Sequence, residues 1–248
     1  MWLSARTVQG GIMAKTTNIE WADASWNPWI GCTPVSLGCQ NCYMHRWAKR
    51  AGKDPNKVQI ASLRSFNAPR RWMEPKRIIV CSLGDFFHKE ADNSRHLAVN
   101  LMLELPRHTF IIPTKRPERI IESLYEQTGG YYFTKGDSSS NIWILASVEN
   151  QEMADKRIPE LLKLREYGDW PVLGVSVEPM LGEIHIEDYL FPEMQDGMDW
   201  IIIGAESGPN RRECKIEWVR NLVEQGKEAG VPVFIKQLHI DGRVSKDM

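Results

Sequence analysis

Long apolar runs are missing from this 248-residue chain: no stretch approaches the roughly 18 to 20 consecutive apolar residues that a bilayer span needs, so no membrane insertion is expected. The opening "MWLSARTVQGGI" has no secretory h-region, and residues 1–12 read as a leader or upstream start ahead of Met13. Cysteine is scarce, odd in number at five, and unevenly spaced, which excludes a secreted disulfide framework and implies reduced thiols in a cytoplasm. An excess of charge of one sign is also absent. With 31 Lys and Arg against 32 Asp and Glu there is no global field to gather nucleic acid, so any such contact must be a local patch.

What is present is concentrated. Three of the five cysteines fall in "WNPWIGCTPVSLGCQNCYMHRW", spaced Cys32-x6-Cys39-x2-Cys42, with His45 following. Three readings compete: a structural zinc of Cys3His type with His45 as fourth ligand, a redox pair at Cys39 and Cys42, and an iron–sulfur cluster on three thiolates with one iron left open.

Downstream, a unit repeats: a short run of β-branched and aliphatic residues, a charged residue, then an amphipathic helical stretch. The runs are "RIIVCSLGD" (77–85), "HTFIIPTK" (108–115), "NIWILASVE" (141–149), "PVLGVSVE" (171–178), "DWIIIGAE" (199–206) and "VPVFIK" (231–236). They end on Asp85, Lys115, Glu149, Glu178, Glu206 and Lys236, at intervals that match one strand plus one crossover helix. Continuous apolar runs fit strands buried on both faces, hence a parallel sheet covered by helices. Helical patterns fill the intervals at 93–105, 151–164 and 216–230, the last stopped by Gly230 and Pro232. A further strand is expected near 18–26, with 42–51 as its helix. The fold class is therefore α/β: a partial (β/α)6 TIM barrel over residues 18–240 with an additional C-terminal strand, a flexible leader at 1–17 and a tail at 241–248.

In such a barrel the chemistry gathers at the carboxyl ends of the strands. A charged residue closing each apolar strand fits that mouth, although an acid there also suits the N-terminus of the next helix. The two lysines have the wrong sign for such a cap. The cysteine loop follows the first strand and so lies at the same mouth, which favours the cluster over a structural zinc. Two segments break the rhythm. Residues 127–140, "QTGGYYFTKGDSSS", read as a mobile loop. Residues 64–77, "RSFNAPRRWMEPKR", carry five bases and one acid and read as a phosphate-facing patch or a plain basic surface.

The stretches "IEWADASWNPWIGC", "GCQNCY", "CSLGDFFH", "TKRPER", "ASVEN", "SVEPMLGEI" and "IGAESGPNRR" together resemble a phage-associated three-cysteine-motif family of the radical S-adenosylmethionine (radical SAM) superfamily. The resemblance implies that Cys32, Cys39 and Cys42 each ligate one iron of a 4Fe-4S cluster whose open iron chelates S-adenosyl-L-methionine. Reductive cleavage would then yield a 5′-deoxyadenosyl radical that takes hydrogen from the substrate, with an electron donor such as flavodoxin or dithionite. It places Gly84 and Asp85 at the methionyl amine, Ser147 and Glu149 near the ribose with Ser176 and Glu178 close by, and Gly204, Glu206 and Ser207 toward adenine or substrate. Lys115 and Arg116 suit a carboxylate or phosphate, and Lys115, Glu178 and Glu206 are the catalytic candidates. Against each stands the plainer reading of a helix cap or ion pair. His45 is read as packing, His88 as a capping residue before a proton-transfer group, and Cys81 as a thiol packed inside an apolar strand. The implied substrate is a nucleotide or DNA-borne base, with isomerisation of a modified thymine side chain as the first reading, DNA photoproduct repair as a second, and a non-catalytic zinc nucleic-acid-binding protein as a third.

Overall fold

Every apolar run forms a strand, and the strands lie side by side in the order of the chain. The structure, a computed structural model, describes residues 13–14, 17, 19–126, 141–190, 197–240 and 243–245. The expected leader at 1–12, the loop at 127–140 and most of the tail lie outside the described residues. In chain order the elements are β1 (Met13–Ala14), β2 (Ala24–Trp26), β3 (Trp29–Ile30), α1 (Tyr43–Arg50), β4 (Gln59–Ile60), α2 (Leu63–Phe66), β5 (Arg77–Val80), α3 (Asp92–Leu103) and β6 (Thr109–Thr114). They continue with β7 (Ile142–Ser147), α4 (Gln151–Leu162), α5 (Leu164–Tyr167), β8 (Leu173–Val177), β9 (Trp200–Gly204), α6 (Ile216–Glu228), β10 (Val233–Ile240) and β11 (Arg243–Ser245).

The main sheet runs β1-β2-β5-β6-β7-β8-β9-β10-β11. Its seven inner strands, β2 through β10, are all parallel, curled into a half-barrel, while β1 and β11 pair antiparallel on the two edges. Parallel neighbours in strict order require a crossover after each strand, and the helices of those crossovers cover the outer face. No helix among the described residues is long and apolar enough to cross a membrane.

The reason the runs are continuous is that each strand is buried twice. Ile78 and Val80 of β5, Phe110 and Ile112 of β6, and Ile144 and Ala146 of β7 face the helices in one cluster; Ile201 and Ile203 of β9 do so in a second. The alternate residues Ile79, Ile111, Leu145 and Ile202 turn inward with Trp21. The barrel interior is floored by indoles: Trp200 meets Trp21 edge-on at 6.0 Å between ring centroids and Trp143 at 5.8 Å. Helix ends follow the local chemistry as well. Asn150 caps α4 by accepting from the Met153 N–H at 3.0 Å. Gly230, at φ +70°, follows α6 in the left-handed turn that stops it.

Two boundaries differ from expectation. β5 stops at Val80, so Cys81 lies beyond the strand, with φ +57°. β10 runs on past Lys236, which sits in a bulge: Ile235 pairs with Ile203 and Gln237 with Gly204, leaving Lys236 without a ladder partner.

Candidate functional site

The cysteine loop is held against the second parallel strand's end by backbone. After β2, the buried Asn27 accepts from the Leu83 N–H at 2.8 Å through its side-chain oxygen. Gly31 then forms a parallel bridge with Gly84, its N–H donating to Leu83 O at 2.9 Å. This approach needs glycine: Gly31 has φ +97°, and a Cβ there would lie 2.2 Å from Lys57 O. Cys32 follows, its N–H donating to Pro55 O at 2.8 Å. Cys39 ends a 3-10 turn over Leu37–Cys39, and Cys42 stands at the N-cap of α1.

All three thiols line one cleft at the carboxyl ends of the strands. Its volume of about 170 Å³ far exceeds the roughly 10–15 Å³ that a single water needs. Trp21, Ile79 and Pro113 form its apolar floor. All five cysteines of the chain are free. Burial pushes the Cys32 thiol up to about 11, with Asp85 adding to the effect and Arg116 opposing it, and burial likewise raises Cys42. Cys32 and Cys42 thus need a metal or a cation to become thiolates. Among the described residues no three Cys, His, Asp or Glu groups converge closely enough to hold one ion, and His45 does not line the cleft. A tetrahedral zinc requires its ligands to converge, whereas a polynuclear centre takes each thiolate on a different metal. Three thiols on one cleft are a donor set that suits a thiolate-held metal centre.

Beside Cys32 lies a buried charge network. Arg116 donates through Nη1 to Cys32 Sγ at 3.3 Å and pairs with Asp85 at 3.2 Å, while Nη2 donates to Thr33 O at 2.7 Å and Thr33 Oγ1 at 3.0 Å. Asp85 also accepts from Phe87 N at 3.0 Å, Thr114 Oγ1 at 2.8 Å and Lys115 N at 3.0 Å. A carboxylate offers about four acceptor positions, and these donors occupy them. Asp85, expected to receive a ligand ammonium, therefore acts as the brace of Arg116 and of the β6 end. His88 accepts from Glu90 N at its Nδ1, which leaves Nε2 to donate to Thr33 Oγ1 at 3.0 Å. Burial lowers its pKa, with Arg116 acting in the same direction. The imidazole is thus a neutral cap, as the sequence indicated.

On the far wall, Ser147 ends β7 and Ser176 lies in β8, and both line the cleft together with Glu178. Ser176 Oγ donates to Glu178 Oε2 at 3.2 Å, and the bulged Lys236 reaches Glu178 Oε1 at 2.6 Å. Gly204 makes room for that carboxylate: a Cβ there would stand 2.7 Å from Glu178 Oε1. Gly204 thus shapes the wall from behind and does not line the cleft. Lys115 lines it too, and its ammonium has no partner among the described residues.

Two expected ligand residues prove to be anchors of the cysteine loop. Glu149 is fully buried; it accepts from the Gly38 N–H at 3.1 Å and pairs with Arg157 at 2.9 Å. Glu206 accepts from Asn41 Nδ2 at 2.9 Å, from Arg212 N at 2.9 Å and from the Arg212 guanidinium. Arg212 in turn donates to Leu37 O at 3.0 Å. Neither carboxylate lines the cleft, because each bends back onto an arginine that lies later in the chain. Ser207, grouped with them, likewise does not line it; its carbonyl accepts from Arg46.

Cys81 packs in the core as expected, but one residue beyond the strand, and its left-handed backbone also brings it to the cleft wall. Nothing in the residue type signals that turn. Cys214, on the loop before α6, is not on the cleft. The basic segment 64–77 lies at the other end of the sheet. Arg107, two residues before β6, donates to Trp72 O and Arg70 O, Arg77 pairs with Asp23 ahead of β2, and Arg70 pairs with Glu104. It therefore does not face a ligand in the cleft.

The model of the family described as "Protein of unknown function (DUF5131)" matches residues 16–246, nearly the whole chain, and the chain belongs to that family. No curated protein and no solved structure matches it.

Proposed function

We propose that this DUF5131 member is a radical SAM enzyme, its half-barrel a partial TIM barrel of that kind, in which Cys32, Cys39 and Cys42 hold a 4Fe-4S cluster and the strand ends opposite hold S-adenosyl-L-methionine. The observation that carries the reading is that the three free thiols of the cysteine loop line one cleft at the carboxyl ends of seven parallel strands. When bound, the cluster and S-adenosyl-L-methionine supply a one-electron reductive cleavage and a carbon radical that takes hydrogen from a substrate.

The chain's own residues position and shield. Gly31 and Gly84 fix the cysteine loop at a backbone bridge, so the first thiol has one position relative to β5. Ser147, Ser176 and Glu178 present hydroxyl and carboxylate acceptors along one wall, suited to ribose hydroxyls and an ammonium. Lys115, a cation with no partner among the described residues, lines the cleft and suits a carboxylate or a phosphate of an anionic substrate. The apolar floor at Trp21, Ile79 and Pro113 excludes water from beneath a reactive intermediate.

The substrate class proposed is a nucleotide or a DNA-borne base, isomerised at a modified thymine side chain, with an electron donor of the flavodoxin kind. Anaerobic reconstitution with iron and sulfide, followed by S-adenosyl-L-methionine and dithionite, tests the first part: 5′-deoxyadenosine and methionine appear, and are lost with Cys32→Ala, Cys39→Ala or Cys42→Ala but kept with Cys214→Ala. A colourless protein holding one zinc overturns it. Phage DNA and irradiated DNA, offered in parallel and digested for nucleoside mass spectrometry, separate isomerase from repair lyase.

A further inference from the structure

We propose that Arg116 sets the reduction potential of the metal centre, raising it by a charged hydrogen bond to the Cys32 sulfur, and that Asp85 opposes this as the counter-charge. The inference rests on the cluster reading above and assigns a tuning role to residues that the reading does not itself use.

The geometry is specific to one corner. Among the described contacts, Cys32 alone of the three thiols receives a side-chain cation, Arg116 Nη1 at 3.3 Å. The guanidinium cannot swing away. It is 5% exposed, its second nitrogen is held by both oxygens of Thr33, and Thr33 Oγ1 is braced by His88. The same Nη1 lies 3.2 Å from Asp85, whose carboxylate is fixed by Thr114 and two backbone N–H groups.

Reduction brings one electron from a low-potential donor onto the centre, with no bond made or broken. A fixed positive donor at a ligating sulfur favours the more negative, reduced state, and a site screened from water strengthens the effect. Hydrogen bonds to the sulfurs are a recognised lever on such potentials. Asp85 acts on the same sulfur with the opposite sign, but only Arg116 touches it through a hydrogen bond, so removing either charge displaces the potential in its own direction.

The test is an anaerobic potentiometric titration of the reconstituted full chain, read by electron paramagnetic resonance at fixed pH. Arg116→Gln moves the midpoint negative, so that at the wild-type midpoint the reduced-to-oxidised ratio falls about tenfold. Asp85→Asn moves it positive, and Arg116→Lys, which keeps the charge, shifts it less than Arg116→Gln. A role confined to bracing the loop would lower iron content without opposite shifts in potential. If Arg116→Gln takes up no iron, the Lys and Asn variants decide alone: opposite displacements support the proposal. Unchanged midpoints in cluster-loaded variants, or shifts of the same sign, overturn it while leaving the cluster reading intact. A wild-type chain that binds no iron and sulfide overturns both.

Discussion

Asn41 Nδ2 donates to Glu206 Oε2 at 2.9 Å across 165 residues of chain, tying the turn between Cys39 and Cys42 to the end of β9. Arg212 completes the clamp, holding the same carboxylate and reaching Leu37 O. The cysteine loop is thus fastened on both flanks, by backbone to β5 and by a charged clamp to β9.

That clamp has a pH signature. Burial pushes the Glu206 carboxyl up, but the bonds from Arg212 and Asn41 prevail and hold it at about 2, below its unfolded value near 4.3. A depressed carboxyl stabilises the fold above the unfolded pKa and stops doing so as pH falls through the folded one. Glu206→Gln, which cannot titrate, is expected to be less stable by about 1–3 kcal/mol at pH 7. Urea melts of both chains should show a constant gap from pH 7 to 5 and a shrinking one from about 4.3 downward.

The Glu149–Arg157 pair is fully buried, so losing one partner strands the other. Glu149→Leu is expected to cost about 3–5 kcal/mol, and Glu149→Leu with Arg157→Met distinctly less. Because Glu149 also holds the Gly38 N–H of the cysteine loop, the proposed cluster implies that iron retention against a chelator falls in both variants, whereas stability recovers only in the second. Thermal melts alongside an iron-release assay check this.

Gly31→Ala forces a side chain onto φ +97° and against Lys57 O. The expected loss exceeds about 2 kcal/mol. Gly52, at φ +62° with nothing within 4 Å of where a Cβ would stand, is the comparison: Gly52→Ala is expected to lose only about 1 kcal/mol from backbone strain. Denaturant midpoints of the two variants separate collision from conformation.

How far the sequence could be read divides along a physical line. The seven parallel strands were legible because burial on two faces leaves uninterrupted aliphatic runs, as in "WIIIG" of β9, and their spacing dictates crossovers. The mouth was legible because charged residues closed those runs. Which charged residue points inward was not. Glu178 turns to the cleft beside Ser176, but Glu149 and Glu206 fold back on Arg157 and Arg212, and a strand-end acid looks the same in either case. For Cys81 the core packing was legible, but the left-handed backbone that also brings it to the cleft was not. The bulge that aims Lys236 inward carries no local signature either.

Glu178 and Lys236 face the cleft with side chains 16% and 25% exposed, less buried than the Glu149–Arg157 pair. Glu178→Gln, which keeps the side chain's size and a hydrogen-bonding oxygen, is expected to cost less stability than Glu149→Leu. On the proposed reading, in which Glu178 accepts from the ligand, equilibrium binding of S-adenosyl-L-methionine to the reconstituted chain should weaken about tenfold, the loss of one charged hydrogen bond. Calorimetric titration checks the second expectation and a thermal melt the first.

The indole floor gives the molecule an optical gauge of its own. Trp21 touches the cleft and Trp200 and Trp143 stack edge-on behind it. Any chromophore seated above them that absorbs in the near ultraviolet draws off their excitation by energy transfer, so filling and emptying of the cleft dims and restores the chain's intrinsic emission without a label.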